Sequence, residues 1–277
     1  MQSYYKSLAK FLENLSAETS KLMLDRFDKS HDVKSLPNGQ VYSEVDKEVN
    51  LLINQKIAEN YPYYMFISEH SRHKEIVPHE SYFIIDEICN SEQYIQKKTG
   101  FSFRGAFFDP KDDLITSIVS YPKKDVSYSM VIDEPVKMTK NGTTKELPKI
   151  SLKKVEDLVY GYPEQGDSMQ YLKLLKSIGI SDDKIKVESD SRLHSLITGK
   201  YDVALIMKKS IPEWVWTAEK AILTALGFSF TYLDGDNFSF GQKPYPENVG
   251  YLVCPAYCKD EIVSKMRFYV NNVQVQL

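Results

Sequence analysis

The sequence predicts a layered chain of mixed α/β class, and three observations predict it. The N-terminal stretch carries apolar residues at helical spacing, broken once by a polar segment. From Tyr64 to Ile132 the chain runs through short apolar or alternating segments separated by polar turns, the pattern of successive strands. Beyond Lys154 strand-like and helix-like runs alternate, a βα rhythm. Together these give a sheet with two helices on one face, followed by a second α/β layer.

Taken in order, Leu8, Phe11, Leu12, Leu15, Leu22, Met23 and Phe27 mark one amphipathic helix over 4–28. The polar segment 29–40 contains Pro37-Asn38-Gly39 and reads as a loop or tight hairpin. Val45, Val49, Leu52, Ile53 and Ile57 mark a second helix, with Ser43 at its N-cap and Asp46 in its first turn. Two apolar runs then end on acids: Tyr64 to Ile67 leads into Ser68-Glu69-His70, and Ser81 to Ile85 delivers Asp86 into a turn. The polar stretch from Asn90 and Ser91 opens a short helix, whose first N–H groups suit a phosphate beside a hard-metal carboxylate.

Strands follow at Phe103–Phe108, Leu114–Val119 and Tyr128–Ile132, with a hairpin-like turn at Lys140-Asn141-Gly142. The Lys- and Thr-rich stretch Lys137–Lys154 is the expected boundary, giving halves 1–145 and 146–277 of one compact unit, the first holding the metal and phosphate site. The second half reads as strands at 158–161, 185–187, 202–206, 228–233 and 250–254, and helices at 169–177, 191–198, 213–226 and 259–270.

A length of 277 residues suits one large α/β domain or two fused layers, and a net charge of −3 implies no general polyanion surface. Neither a nucleic-acid polymer nor a membrane is an expected partner. No signal peptide and no run of about 18 apolar residues is present, so a cytoplasmic location is expected. Three cysteines, Cys89, Cys254 and Cys258, make no disulfide framework. The Cys254-x-x-x-Cys258 spacing reads either as half a metal site or as two ordinary semi-buried thiols.

Tyr42-Ser43-Glu44-Val45-Asp46, Ser68-Glu69-His70, Asp86-Glu87-Ile88-Cys89-Asn90-Ser91, Trp214-Val215 and Leu233-Asp234-Gly235 follow one another in an order and spacing that resembles the inositol monophosphatase-like phosphatases. That family carries V-T-x-A-D, G-E-E, D-P-I-D-G-T, W-D-x-A and L-D-G at these places, and it includes the bisphosphate nucleotidases. The resemblance implies an αβαβα sandwich. It also implies a Mg²⁺ site made by Glu69, Asp86, the Ile88 carbonyl and Ser91, with Glu69 and Ser91 orienting the attacking water. Asp46 either stabilises its helix dipole or approaches this metal cluster from behind. Asn90 stands where the family has a glycine close to the phosphate, and Asn tolerates unusual φ better than most residues.

The family's second Mg²⁺ site maps onto Asp86, Cys89 and Val215. A thiol is a poor ligand for a hard ion and an isopropyl group is none, so one metal site is expected. His70 likewise departs from the family's second acid. His70, His73, His79 and Cys89 form a softer set that suits Zn²⁺, or else an exposed polar loop with a filler thiol. The stretch Glu188 to Arg192 is similar to the nucleotidase branch, which makes Arg192 either a contact to a second phosphate or a surface arginine near a helix start. The resemblance therefore implies a Mg²⁺-dependent phosphomonoesterase acting on a small soluble phosphate, an inositol phosphate or a 3′,5′-bisphosphate nucleotide, weakened by loss of the second site. The alternative is an inactive member that keeps the fold as a binding or assembly module. Family members are often homodimers.

Overall fold

The computed structural model describes residues 2–29, 32–35, 41–71, 77, 79–164, 168–188, 191–207, 212–233, 235–236 and 250–273. The chain divides into two units, 1–148 with 212–222, and 149–211 with 223–277. A helical segment thus returns to the first unit late in the sequence.

In the first unit, α1 (Gln2–Phe27) and α2 (Glu44–Asn60) flank the short antiparallel pair β1 (Val33–Ser35) and β2 (Val41–Ser43). This pair is the hairpin form of the 29–40 segment; its Pro37-Asn38-Gly39 turn lies outside the described residues. The main sheet contains β3 (Met65–Ser68), β4 (Tyr82–Cys89), β5 (Ser102–Phe108), β6 (Leu114–Tyr121), β7 (Val126–Val131), β8 (Lys137–Lys140) and β9 (Thr143–Glu146), in that spatial order. Only β3 and β4 are parallel; the remaining neighbours are antiparallel. Between β4 and β5 lies the short helix α3 (Ser91–Ile95).

Leu8, Leu12, Leu15, Met23 and Phe27 of α1 and Val45, Val49, Ile53 and Ile57 of α2 share a core with Phe83, Ile85, Phe103 and Phe107 of the sheet. A Cβ on Gly105 would lie 3.2 Å from the Phe103 ring and 3.4 Å from Leu12, so glycine lets α1 approach β5 closely. Since Ile85 pairs with Gly105 and Phe83 with Phe107, these residues face α1 and α2, and Asp86 and Arg104 face the other way. That other face meets the beginning of α6 (Glu213–Ala225) through Arg104, which bonds both Val215 and Glu219. Every residue of β4 is buried as a result.

The second unit holds β10 (Tyr160–Pro163), α4 (Ser168–Ser177), β11 (Ile185–Glu188), α5 (Arg192–Ile197), β12 (Val203–Ile206), β13 (Phe228–Tyr232), β14 (Tyr251–Pro255) and α7 (Lys259–Val273). Its sheet runs β11-β10-β12-β14-β13, with β10 parallel to β11 and β12 and the last pairs antiparallel. Leu174 and Leu175 of α4, Leu205, Leu252, and Ile262 and Met266 of α7 fill its core. The protein is thus a mixed α/β chain, as its sequence pattern predicts. No described helix is long and apolar enough to cross a membrane.

Candidate metal and phosphate site

The site begins with an irregularity in β4. Asp86 pairs with Arg104 but Cys89 pairs with Ser102, so one extra residue is inserted on β4 between these pairs. The strand does not end at Asp86, as the sequence suggests; it continues through this bulge to Cys89. The bulge has a geometric consequence. Ser102 and Arg104 are two apart on β5 and share a face, so their partners Cys89 and Asp86 share it too, although regular alternation would send them to opposite sides.

Asp86 is 2% exposed. Burial pushes its carboxyl up from 3.8 to about 8, offset in part by the Arg104 guanidinium and a hydrogen bond with Cys89, with the charges of Glu87 and Glu69 adding to the rise. Glu69 follows the last residue of β3 and is half-buried. Glu87 is fully buried and accepts from Asn50 Nδ2 of α2 at 2.6 Å. At the end of the strand the Ser91 hydroxyl lies 2.7 Å from the Ile88 carbonyl and 2.8 Å from Asp46 Oδ1. Asp46 is itself buried, its Oδ2 accepting from the Ser43 N–H at 2.7 Å and from Ser43 Oγ at 2.8 Å. This is the reciprocal cap of α2, so one carboxylate both starts a helix and holds Ser91. Asp46 thus caps α2, as one reading of the sequence has it, and the same side chain contacts Ser91.

Asn90 adopts φ 64°, ψ 48°, and its side-chain amide donates to the Gly100 carbonyl at 3.2 Å. Left-handed backbone is where Asn substitutes for glycine at small cost. Glu69, Asp86, the Ile88 carbonyl and Ser91 are hard oxygen donors, a set that fits Mg²⁺. Among the described residues no group of three or more His, Cys, Asp and Glu could hold a metal ion, so an ion here would rest on two carboxylates and neutral oxygens.

The other side of Asp86 is different. Cys89 is 5% exposed, and burial drives its thiol well above the usual range, with Arg104 acting in the opposite direction. Val215 contributes its backbone carbonyl, which accepts from Arg104 Nη1. The same Nη1 pairs with Glu219 Oε2 at 2.9 Å, and the two side chains are 5% and 0% exposed. Arg104 Nε donates to Ser102 Oγ at 3.2 Å. A thiol, a carbonyl and a guanidinium do not fit a second divalent cation.

Sequence reasoning missed Arg104, Ser102, Glu219 and the Asn50–Glu87 contact. A signal was present: an arginine inside the apolar run Phe103 to Phe108 requires a partner, and Val215 and Glu219 are four apart on one helix face.

Other predicted residues make different contacts. Arg192 is in the second unit, where its Nη1 lies 3.4 Å from Tyr251 Oη and its guanidinium 5.5 Å from the Tyr251 ring. His70 is exposed, its ring 6.1 Å from that of Tyr42. His73 lies outside the described residues, and His79 adopts φ 67° in a turn. The described members of the soft-metal set form no cluster. Cys254 and Cys258 are both buried rather than semi-buried, and Cys258 Sγ donates to the Pro255 carbonyl at 3.3 Å.

Comparison with known proteins identifies the fold and the family. The chain is similar in structure to an inositol monophosphatase (IMPase) from Thermotoga maritima, with a TM-score of 0.76, 15% identity, and coverage of 95% of this chain and 98% of that one. Inositol monophosphatase-II from Staphylococcus aureus matches with a TM-score of 0.76 and 15% identity over 98% of this chain and 97% of that one. The staphylococcal IMPase-II has also been solved with 2′AMP and with inositol monophosphate bound. An IMPase/NADP phosphatase complexed with Mg²⁺ and phosphate matches with a TM-score of 0.70 and 14% identity over 95% of each chain. At these identities the likeness establishes the fold. A search of curated protein sequences gives no match. The sequence profile of the inositol monophosphatase family matches residues 5–270, nearly the whole chain, and the protein therefore belongs to that family.

Proposed function

We propose that the protein is a Mg²⁺-dependent phosphomonoesterase acting on a small soluble phosphate, an inositol phosphate or a 3′,5′-bisphosphate nucleotide, with one divalent ion. The observation that carries this reading is Asp86, a carboxyl pushed up to about 8 by burial, with the charges of Glu87 and Glu69 adding to the rise. A cation beside such a group favours its ionised form at neutral pH.

Glu69, Asp86, the Ile88 carbonyl and Ser91 would hold the ion. When bound, it supplies polarisation of a phosphoryl oxygen and acidification of water. Ser91 Oγ is oriented by Asp46 and positions the attacking water, and the Glu69 carboxylate accepts the water's proton. Asn90, the N-cap of α3, and Ser91 would contact the phosphate. Arg192 remains a candidate for a second phosphate. The side that would stabilise the leaving oxygen carries no carboxylate-bound ion, so turnover should be slow.

The test is phosphate release with Mg²⁺ from inositol 1-phosphate, adenosine 3′,5′-bisphosphate and fructose 1,6-bisphosphate, with Glu69→Gln as the blank. Release above the blank from one substrate supports the reading and names its class. A folded protein that releases none favours the second reading, a fold retained for binding or assembly, which Cys89, Val215 and the buried Arg104–Glu219 pair favour.

A further inference from the structure

We propose that the Arg104 guanidinium, fixed by Glu219, stands in for the second divalent cation, so that the site is built for one metal ion and carries its other positive charge covalently. This rests on the one-ion reading of the site. Three observations meet at Arg104. It pairs across the sheet with Asp86, which places both side chains on one face. The bulge adds Cys89 to that face, and Arg104 Nε bonds Ser102, the cross-strand partner of Cys89. Its Nη1 bonds the carbonyl of Val215. Asp86, Cys89 and Val215 are the positions onto which the second metal set maps, and one guanidinium addresses all of them.

Glu219 completes the substitution. A lone guanidinium at 5% exposure would be strongly disfavoured, and Glu219, at 0% exposure, compensates it at 2.9 Å. A cation supplied by the chain needs no carboxylates at positions 89 and 215, because its charge is not lost to solvent. The guanidinium also fills the position and takes up the Val215 carbonyl. Cys89 and Val215 thus become compatible with a working site rather than marks of decay.

The proposal separates two explanations of a single metal. If only ligands are missing, restoring them should restore the second ion; if the guanidinium occupies the position, it should not. Equilibrium dialysis of the full chain against Mg²⁺, with metal analysis, reads ions per chain. The expected result is that Cys89→Asp with Val215→Asp binds no more ions than wild type. Adding Arg104→Met and Glu219→Gln should then gain one ion per chain. A gain in the twofold variant alone overturns the proposal, as does a fourfold variant with a native circular dichroism spectrum that gains none. If the fourfold variant does not fold, the twofold variant still decides: a second ion bound there overturns the proposal, and saturation at the wild-type number on a native circular dichroism spectrum supports it. Zero ions in wild type counts against the one-ion phosphatase instead, and the difference between the two variants still tests Arg104.

Discussion

The two sides of Asp86 solve the same electrostatic problem differently. On one side, in the reading proposed above, Glu69, the Ile88 carbonyl and Ser91 would offer oxygen to an external cation, and Asp46 holds Ser91 while capping α2. On the other side the cation is part of the chain, Arg104, and its counter-charge Glu219 comes from α6. Arg104 and Glu219 are buried whereas Glu69 and Ser91 are half-buried, and both sides belong to the first unit. The difference teaches that a buried carboxylate requires positive charge nearby but does not specify its source. A metal can be removed and measured; a guanidinium is tied to the stability of the fold.

Substitutions on the two sides should therefore fail in different ways. The largest effect is expected from Glu69→Gln, which should lower phosphate release by roughly 10²- to 10⁴-fold if Glu69 is the proton acceptor. Its unfolding midpoint should stay close to wild type, because Glu69 is only half-buried. On the arginine side the order reverses. Glu219→Ala strands a buried guanidinium and should cost about 3–5 kcal/mol in urea unfolding, with Arg104→Met plus Glu219→Met recovering most of it. A Glu219→Ala loss below about 1 kcal/mol would sink the view of this pair as a compensated buried charge.

The pH dependence sharpens the contrast further. Without metal the folded Asp86 carboxyl sits at about 8 against 3.8 ordinarily. Since the folded value is the higher one, its contribution to stability is complete below 3.8 and is lost as pH rises to about 8. Mg²⁺ binding at pH 7 should accordingly release up to one proton, and the release should fade above pH 8. Calorimetry in buffers of different ionisation enthalpy measures it, and proton-neutral binding at pH 7 would contradict the assignment of Asp86 as a ligand.

Smaller effects concern the supports. Asp46→Ala removes half of the reciprocal cap and should cost about 1–2 kcal/mol. It should also reduce Mg²⁺ affinity by roughly 10- to 100-fold, because Ser91 loses its orienting partner. A stability loss with unchanged affinity would make Asp46 a helix cap only. The smallest expected change is Asn90→Ala, about 1 kcal/mol from placing alanine at φ 64°. Asn90→Gly should be close to neutral by the same unfolding measurement.

Local pattern was enough to read much of this protein from its residues. The helical spacing of Leu8 to Phe27 and of Val45 to Ile57, the apolar strand before Asp86 and the βα rhythm after Lys154 depend on near neighbours, and their elements form where the periodicity puts them. The residues around Asp46, Glu69, Asp86 and Ser91, and Cys89 and Val215, were singled out by the order and spacing of short motifs that resemble those of the family. Tertiary structure decided which groups share a face. A single inserted residue between Asp86 and Cys89 reverses the alternation that a sequence reader would assume. Arg104 and Glu219 are 115 positions apart and meet only because the start of α6 packs on β5. Such a pairing leaves no period in the chain, since sheet and helix impose order over a few residues whereas a buried charge is compensated by whatever the fold brings within hydrogen-bonding distance.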